Sequence, residues 1–414
     1  MFNTKTQSQY IEVLLESALN IQNGENLIIL ANVEHKDFVQ KCEIRAKELG
    51  ATKIKTFYDD PHAEFESFSS GKNNYVWLSD EDLSYIDDAI RNKNARLLYL
   101  RSNMYNFFDK LPKEKFQLRQ VAFWNTFEKI FIYVAQGIVA YTLACLPNQT
   151  WAETLFPDLT PADALNELCE KMMIAVYLDK PNPAKYWSDR AETLLNRKKI
   201  MERKKFSAVR FVGDGTDLVL DLPELQAWEG GYSTAPDGRI YIPNLPTEEA
   251  FSTPIRTGVN GKMHVRFPKR VNGKILDQYI MNFESGRCVS FINEENQELA
   301  NELHTLWTGR TENADYLGEI ALVSSDSGVA VSETIFLDAV LDENSACHFA
   351  FGNTYKFSIE GGRNMTDAEF IAAGGNISAQ HSDMPFDSKN MIIYGINKDG
   401  SSEIILDHGV WVLV

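Results

Sequence analysis

The first half of the chain alternates helical and strand-like periodicity. Ile11, Leu14, Leu15 and Ala18 recur at helical spacing across Tyr10 to Asn20, and Gly24 then leads into the apolar run Leu27 to Ala31. The order repeats: Phe38 to Leu49 reads as a helix closed by Gly50, Lys53 to Tyr58 as a strand, Asp82 to Arg91 as a helix and Arg96 to Leu100 as a strand. Such alternation predicts a mostly parallel sheet covered on both faces. No Gly-rich phosphate loop follows any of these strands, so no nucleotide site is expected.

Between Thr160 and Lys205 the pattern turns helical, with Ala162 to Tyr177 amphipathic and Asp189 to Lys205 charged. Pro181 and Pro183 separate the two helices, since proline lacks an amide proton and disfavours helix before it. From Val209 onward β-type stretches dominate: Val209 to Val212, Leu218 to Leu222, Ile255 to Val259, Met263 to Phe267, Met391 to Ile396 and Val410 to Val414. Pro236-Asp237-Gly238, Asn260-Gly261 and Asn272-Gly273 read as turns between them. The predicted fold is an α/β amino-terminal domain with a mostly parallel sheet over residues 1–205, ending in a helical connector, and a β-rich α+β domain over residues 206–414.

The length of 414 residues suits two domains. A net charge of -17 repels phosphate backbones and anionic lipid, which argues against nucleic acid and membrane as partners, and it suits cation binding. The longest apolar suspect, Ile130 to Leu146, is shorter than a full span and is interrupted by Gln136 and Gly137; it reads as a buried helix followed by a strand. Met1 to Gln9 lacks the marks of a secretory signal, and the five cysteines have no CxxC spacing; a reducing, cytoplasmic compartment is expected.

Two of the seven histidines stand beside acids or a tyrosine in potential ligand arrangements. In His381-Ser382-Asp383, alternate residues of a strand point to one face, so imidazole and carboxylate can converge on a cation; the alternative is a surface His beside a solvated Asp. His348 follows Asp342-Glu343 and precedes Tyr355, which is either a site residue or a packed core tyrosine. Glu319 lies among apolar strand formers, where its charge needs a metal or a buried Lys or Arg. Glu249 follows Pro246 and precedes Pro254; alone it reads as an acid in the first turn of a helix.

In this order the segments resemble the metalloaminopeptidases typified by thermophilic aminopeptidase T. The resemblance is carried by Asn244 to Pro254, Leu317-Gly318-Glu319, Leu341 to His348 with Tyr355, and Asn376-Ile377-Ser378 leading to His381 and Asp383. More loosely it includes Trp151 to Asp158 and Gly215 to Leu218, while the first 150 residues match in pattern only. It implies metal ligation by Glu249, Glu319, His348, His381 and Asp383, with Tyr355 in the catalytic site; the two oxygens of its carboxylate make Glu319 the expected bridge. Glu343 is implied as a ligand, an acid/base or a partner that orients a ligand.

The resemblance further implies two divalent ions (cobalt, zinc, manganese or magnesium), peptide substrates with a free amino terminus, and a homodimer. Residues 206–414 then become the metal-binding catalytic domain. One departure stands out: Met384-Pro385-Phe386-Asp387 follows Asp383 where the family has Phe-Met and a glycine, which bears on the shape of the substrate pocket. Rival readings are a binuclear hydrolase of another amide or ester, and a metal-binding homologue without turnover. Phosphate esters are disfavoured by the acidic charge and by the absence of Lys or Arg clustered with the motifs.

Overall fold

The computed structural model describes residues 2–414 apart from 93, 136, 272, 273 and 310, so Gln136 and the Asn272-Gly273 turn lie outside the described residues. The chain forms two compact units. One comprises Met1–Ala191, Tyr232–Thr247 and Ser332–Asp338, the other Glu192–Gly231, Glu248–Val331 and Ala339–Val414. The first crossing falls inside the helix Pro183–Lys204. Pro183 is the first residue of that helix, a position where its missing N–H has no intrahelical acceptor to lose.

The first unit contains a parallel sheet in the order Asn244–Leu245, Tyr141–Cys145, Ala95–Arg101, Asn26–Asn32, Lys53–Asp59. The interior strand Asn26–Asn32 is buried from Leu27 onward, as a strand covered on both faces must be. Ile86 and Ile90 of the helix Asp80–Asn92 and Ile130 and Tyr133 of the helix Lys113–Ala135 share a core with Ile28, Leu30 and Leu97. The suspect apolar stretch is thus the end of one helix and the strand Tyr141–Cys145. The two-residue strand Asn244–Leu245 is too short to leave a sequence signal; it pairs along the edge of Tyr141–Cys145.

The second unit holds two large antiparallel sheets beside a two-stranded one. Eight strands run in the order Arg287–Ile292, Tyr279–Glu284, Val259–Val265, Thr216–Asp221, Ala208–Gly213, Met391–Ile396, Ser402–Asp407, Val410–Trp411. The two stretches expected over Ile255 to Val259 and Met263 to Phe267 are one strand, Val259–Val265, with Asn260-Gly261 inside it rather than at a turn. A Cβ on Gly261 would meet the Asp217 carbonyl oxygen at 2.2 Å, so this glycine serves the close approach of the neighbouring strand.

The second sheet has five strands, in the order His381–Pro385, His348–Gly352, Leu317–Val323, Glu249–Ser252, Glu229–Gly230. Its inner face joins the eight-stranded sheet through aromatic contacts. Phe349 packs edge-on against Phe211 at 5.5 Å between centroids, and Phe351 stacks on Phe283 at 6.2 Å.

Candidate metal centre

The outer face of the five-stranded sheet carries the site. Ala250, Ile320, Leu322, Phe349, Phe351 and Met384 turn into the core, so the residues alternating with them turn out on the other side. Register then does the assembling. Glu319 pairs with Ala350 and Ala350 with Asp383, which sets Glu319 and Asp383 on either side of one small residue. Ala321 pairs with His348, Val323 with Glu249, and Gly352 with His381. All five of the expected ligands, Glu249, Glu319, His348, His381 and Asp383, therefore share one face.

Glu319 reaches that face only through an irregularity. Leu317 pairs with Phe351 and Glu319 with the adjacent Ala350, so Gly318 is an extra residue in the strand. Under strict alternation Glu319 would follow Leu317 into the core; the bulge re-aims it.

The side chains form two donor clusters, Glu249 with Glu319 and His348, and Glu319 with His381 and Asp383. His348 Nε2 lies 3.2 Å from Glu249 Oε2 and 3.4 Å from Glu319 Oε1. His381 Nε2 lies 3.6 Å from Glu319 Oε2 and 3.5 Å from Asp383 Oδ1. Glu319 thus gives one carboxylate oxygen to each cluster. Among the described residues its charged partners are these histidines and not a Lys or Arg.

Burial and neighbouring acids push Glu319 up to about 7, with His348 working against them. Burial disfavours the charged form of His381, but Asp383 and Glu319 outweigh it and bring the ring to about 9; His348 is raised by Glu249 and Glu319 in the same way. Asp383 is held at about 2 despite its burial, chiefly by His381. Protonated imidazoles thus balance the carboxylates. Histidine and carboxylate are donors that suit a divalent cation, and among the described residues Glu249 Oε2 is buried with no hydrogen-bond partner, His348 facing it as an ion pair. His381 Nδ1 donates to the Asn353 carbonyl at 2.7 Å, which in the neutral ring leaves the Nε2 lone pair facing the acids. The residues fit such an ion.

Glu343 is buried on a short 3₁₀ turn beside the clusters and enters neither. Burial, Asp383 and Glu249 hold its carboxyl well above the usual range. The Tyr355 ring lies 4.5 Å from that of His381 and stacks on Phe357 at 5.1 Å. Glu249 starts a strand rather than a helix. Of the departing segment, Met384 and Phe386 are core residues, and Pro385 lies opposite His348.

Two contributors escape sequence reasoning. The Asn353 carbonyl is backbone and leaves no residue-type signal. The other is Lys269: burial lowers it to about 8, while Asp342, Asp383 and Glu343 pull it upward. It is far from those acids in sequence, and only folding brings it near.

Gly318 supplies a test of the bulge. A Cβ there would sit 2.2 Å from the Asn353 carbonyl oxygen, the same atom that orients His381. Gly318→Ala is expected to weaken metal retention and activity by roughly 10- to 100-fold, the usual cost of disturbing a group that orients a ligand. Normal metal content and rate in the variant would show that the strand can shift without turning His381.

A sheet face bearing paired carboxylate and imidazole clusters defines a metal-centre protein. The profile of the thermophilic metalloprotease (M29) family matches residues 3–411, and the chain belongs to that family. It is similar to aminopeptidase AmpS of Bacillus subtilis, 28% identical over 407 residues, 97% of each chain. It is also similar to aminopeptidase T of Thermus thermophilus, 29% identical over 407 residues and 97% of each. The solved structure of wild-type AmpT from Thermus thermophilus matches with a TM-score of 0.88 at 28% identity, covering 99% of both chains.

Proposed function

We propose that this chain is a metal-dependent aminopeptidase that holds two divalent cations, one in each donor cluster, with Glu319 shared between them. The division of the Glu319 oxygens between His348 and His381 is the observation that carries the two-ion reading. Family membership and the aminopeptidase names of the relatives support the activity. Glu249 and His348 would complete one position, His381 and Asp383 the other. When bound, cobalt, zinc, manganese or magnesium would supply positive charge that lowers the pKa of water and polarises a peptide carbonyl.

The chain's own groups do the rest. The Asn353 carbonyl fixes the His381 ring, and Asp383 and Glu249 contribute the outer carboxylates. Tyr355 offers its hydroxyl to the carbonyl oxygen as negative charge grows there. Glu343, whose carboxyl is held above the usual range by burial and by its acidic neighbours, gives a proton to the leaving amine. A cytoplasmic homodimer belongs to the same reading; among the described residues no helix is long and apolar enough to cross a membrane.

A free α-amine offers a lone pair beside the first carbonyl oxygen, so acylating it removes one of the substrate's two anchoring atoms. A short peptide and its N-acetylated form, compared at equal concentration by mass spectrometry, test the reading. Stepwise loss of residues from the free peptide and little from the acetylated one is expected. Equal cleavage, or cutting at internal bonds, would overturn the aminopeptidase assignment and favour a binuclear hydrolase of other specificity.

A further inference from the structure

The Asn376-Ile377-Ser378 stretch that leads to His381 has no part in the proposed chemistry, yet Asn376 is completely buried. Its side chain is held by its donors. Nδ2 donates to the Gly352 carbonyl at 2.6 Å and to the Asn313 carbonyl at 2.9 Å, while among the described residues Oδ1 has no hydrogen-bond partner. An apolar residue of the same shape would leave both carbonyls unpaired. Asn313 returns the contact, its Nδ2 donating to the Ile377 carbonyl at 3.1 Å.

The main chain of Asn376 grips the same turn. Thr354 N–H donates to the Asn376 carbonyl at 2.9 Å, and Asn376 N–H donates to Thr354 Oγ1 at 3.1 Å. Asn376 thus bonds to the residue before Asn353 and to the residue after it. A trans peptide group is planar and points its N–H and C=O in opposite directions. In the group joining Gly352 to Asn353, the C=O faces Asn376 and the N–H donates to the Gln380 carbonyl at 2.6 Å. In the group joining Asn353 to Thr354, the N–H faces Asn376 and the C=O receives His381 Nδ1 at 2.7 Å. Both peptide groups are crossbars, with Asn376 at one end and Gln380 and His381 at the other. The turn requires glycine at 352, where φ is +98° and a Cβ would meet the Gln380 carbonyl oxygen at 2.2 Å.

A histidine ligand serves only when its lone pair points at the ion, and the bond made by its other nitrogen sets that direction. We propose that Asn376 is a positioning residue for the ion held by His381 and Asp383: by fixing both peptide groups of Asn353, it aims the carbonyl that turns His381 Nε2 toward Glu319 and Asp383. This rests on the two-ion reading. The position built on Glu249 and His348 has no such brace, since among the described residues His348 Nδ1 has no hydrogen-bond partner. Loosening Asn376 therefore acts on one ion and not on both.

The test is calorimetric titration of the metal-free full chain with cobalt, a readout that needs no turnover. His381→Ala identifies the binding step that belongs to the His381 position. Asn376→Ala is expected to weaken that step by roughly 10- to 100-fold, the usual cost of disturbing a group that orients a ligand, and to leave the other step close to wild type. Asn376→Asp keeps the shape but sets oxygen against two carbonyls, and should weaken the same step at least as much. Unchanged affinity at the His381 step, or an equal loss at both steps, overturns the proposal and makes Asn376 a residue of the fold alone.

Thr354→Val removes the acceptor of the Asn376 N–H while keeping the branched shape of the side chain. It should weaken the same step by a smaller factor. If the Asn376 variants do not fold, an unchanged His381 step in Thr354→Val overturns the proposal. Uptake of a single ion by the wild type would count against the two-ion reading instead; the role of Asn376 then holds only if that one step weakens in both His381→Ala and Asn376→Ala.

Discussion

Glu319→Gln is expected to lower peptide hydrolysis by at least ~10²-fold, the lower end of what a displaced catalytic constellation costs. The amide keeps the size of the side chain but removes the charge that faces both His348 and His381. It also replaces one acceptor oxygen by a donor, so one cluster meets an N–H where it needs a lone pair. Metal content by plasma emission spectroscopy and activity should fall together. If the variant retains two metals and turns over normally, Glu319 is a structural acid and the shared-carboxylate reading fails.

Chelation should abolish activity, and added cobalt, zinc, manganese or magnesium should restore it. Full turnover by protein verified metal-free, with no metal in the assay, would defeat the assignment. The pH dependence of uptake follows from the groups involved. In the metal-free site His381 is raised to about 9 and Glu319 to about 7, so at neutral pH the ring carries a proton that a cation must displace. Binding therefore releases protons, and apparent affinity should weaken as pH falls from about 9. Calorimetry in buffers of differing ionisation enthalpy reads the protons directly; proton uptake, or affinity that rises on acidification, would show that these groups are not the ligands.

Much of the chemistry was legible along the chain because donor residue types are rare in apolar strands. Glu319 among Leu317, Ile320, Ala321, Leu322 and Val323 called for a compensating charge, and His381-Ser382-Asp383 put two donors on one side of a strand. Glu249 carried no comparable signal by itself. Its acidic neighbourhood was compatible with a helix start, and only pairing with Val323 made it a strand residue facing the site. Glycine is more ambiguous: Asn260-Gly261 has turn composition, but Gly261 serves a close approach between strands that composition cannot register.

By itself the sequence determined the classes of element and the donor types. The alternating helices and strands before residue 150 commit the first unit to a parallel sheet, since short apolar strands joined by helices can bury both faces only that way. What only the tertiary structure decided is which donors meet. Register set Glu319 and Asp383 across Ala350, and the extra residue at Gly318 turned Glu319 out of the core that Leu317 occupies. Folding likewise brought the Asn353 carbonyl to His381. Local propensity acts over a few residues, whereas strand pairing joins positions far apart in the chain, and a slip of one residue would send every ligand of a strand to the opposite face.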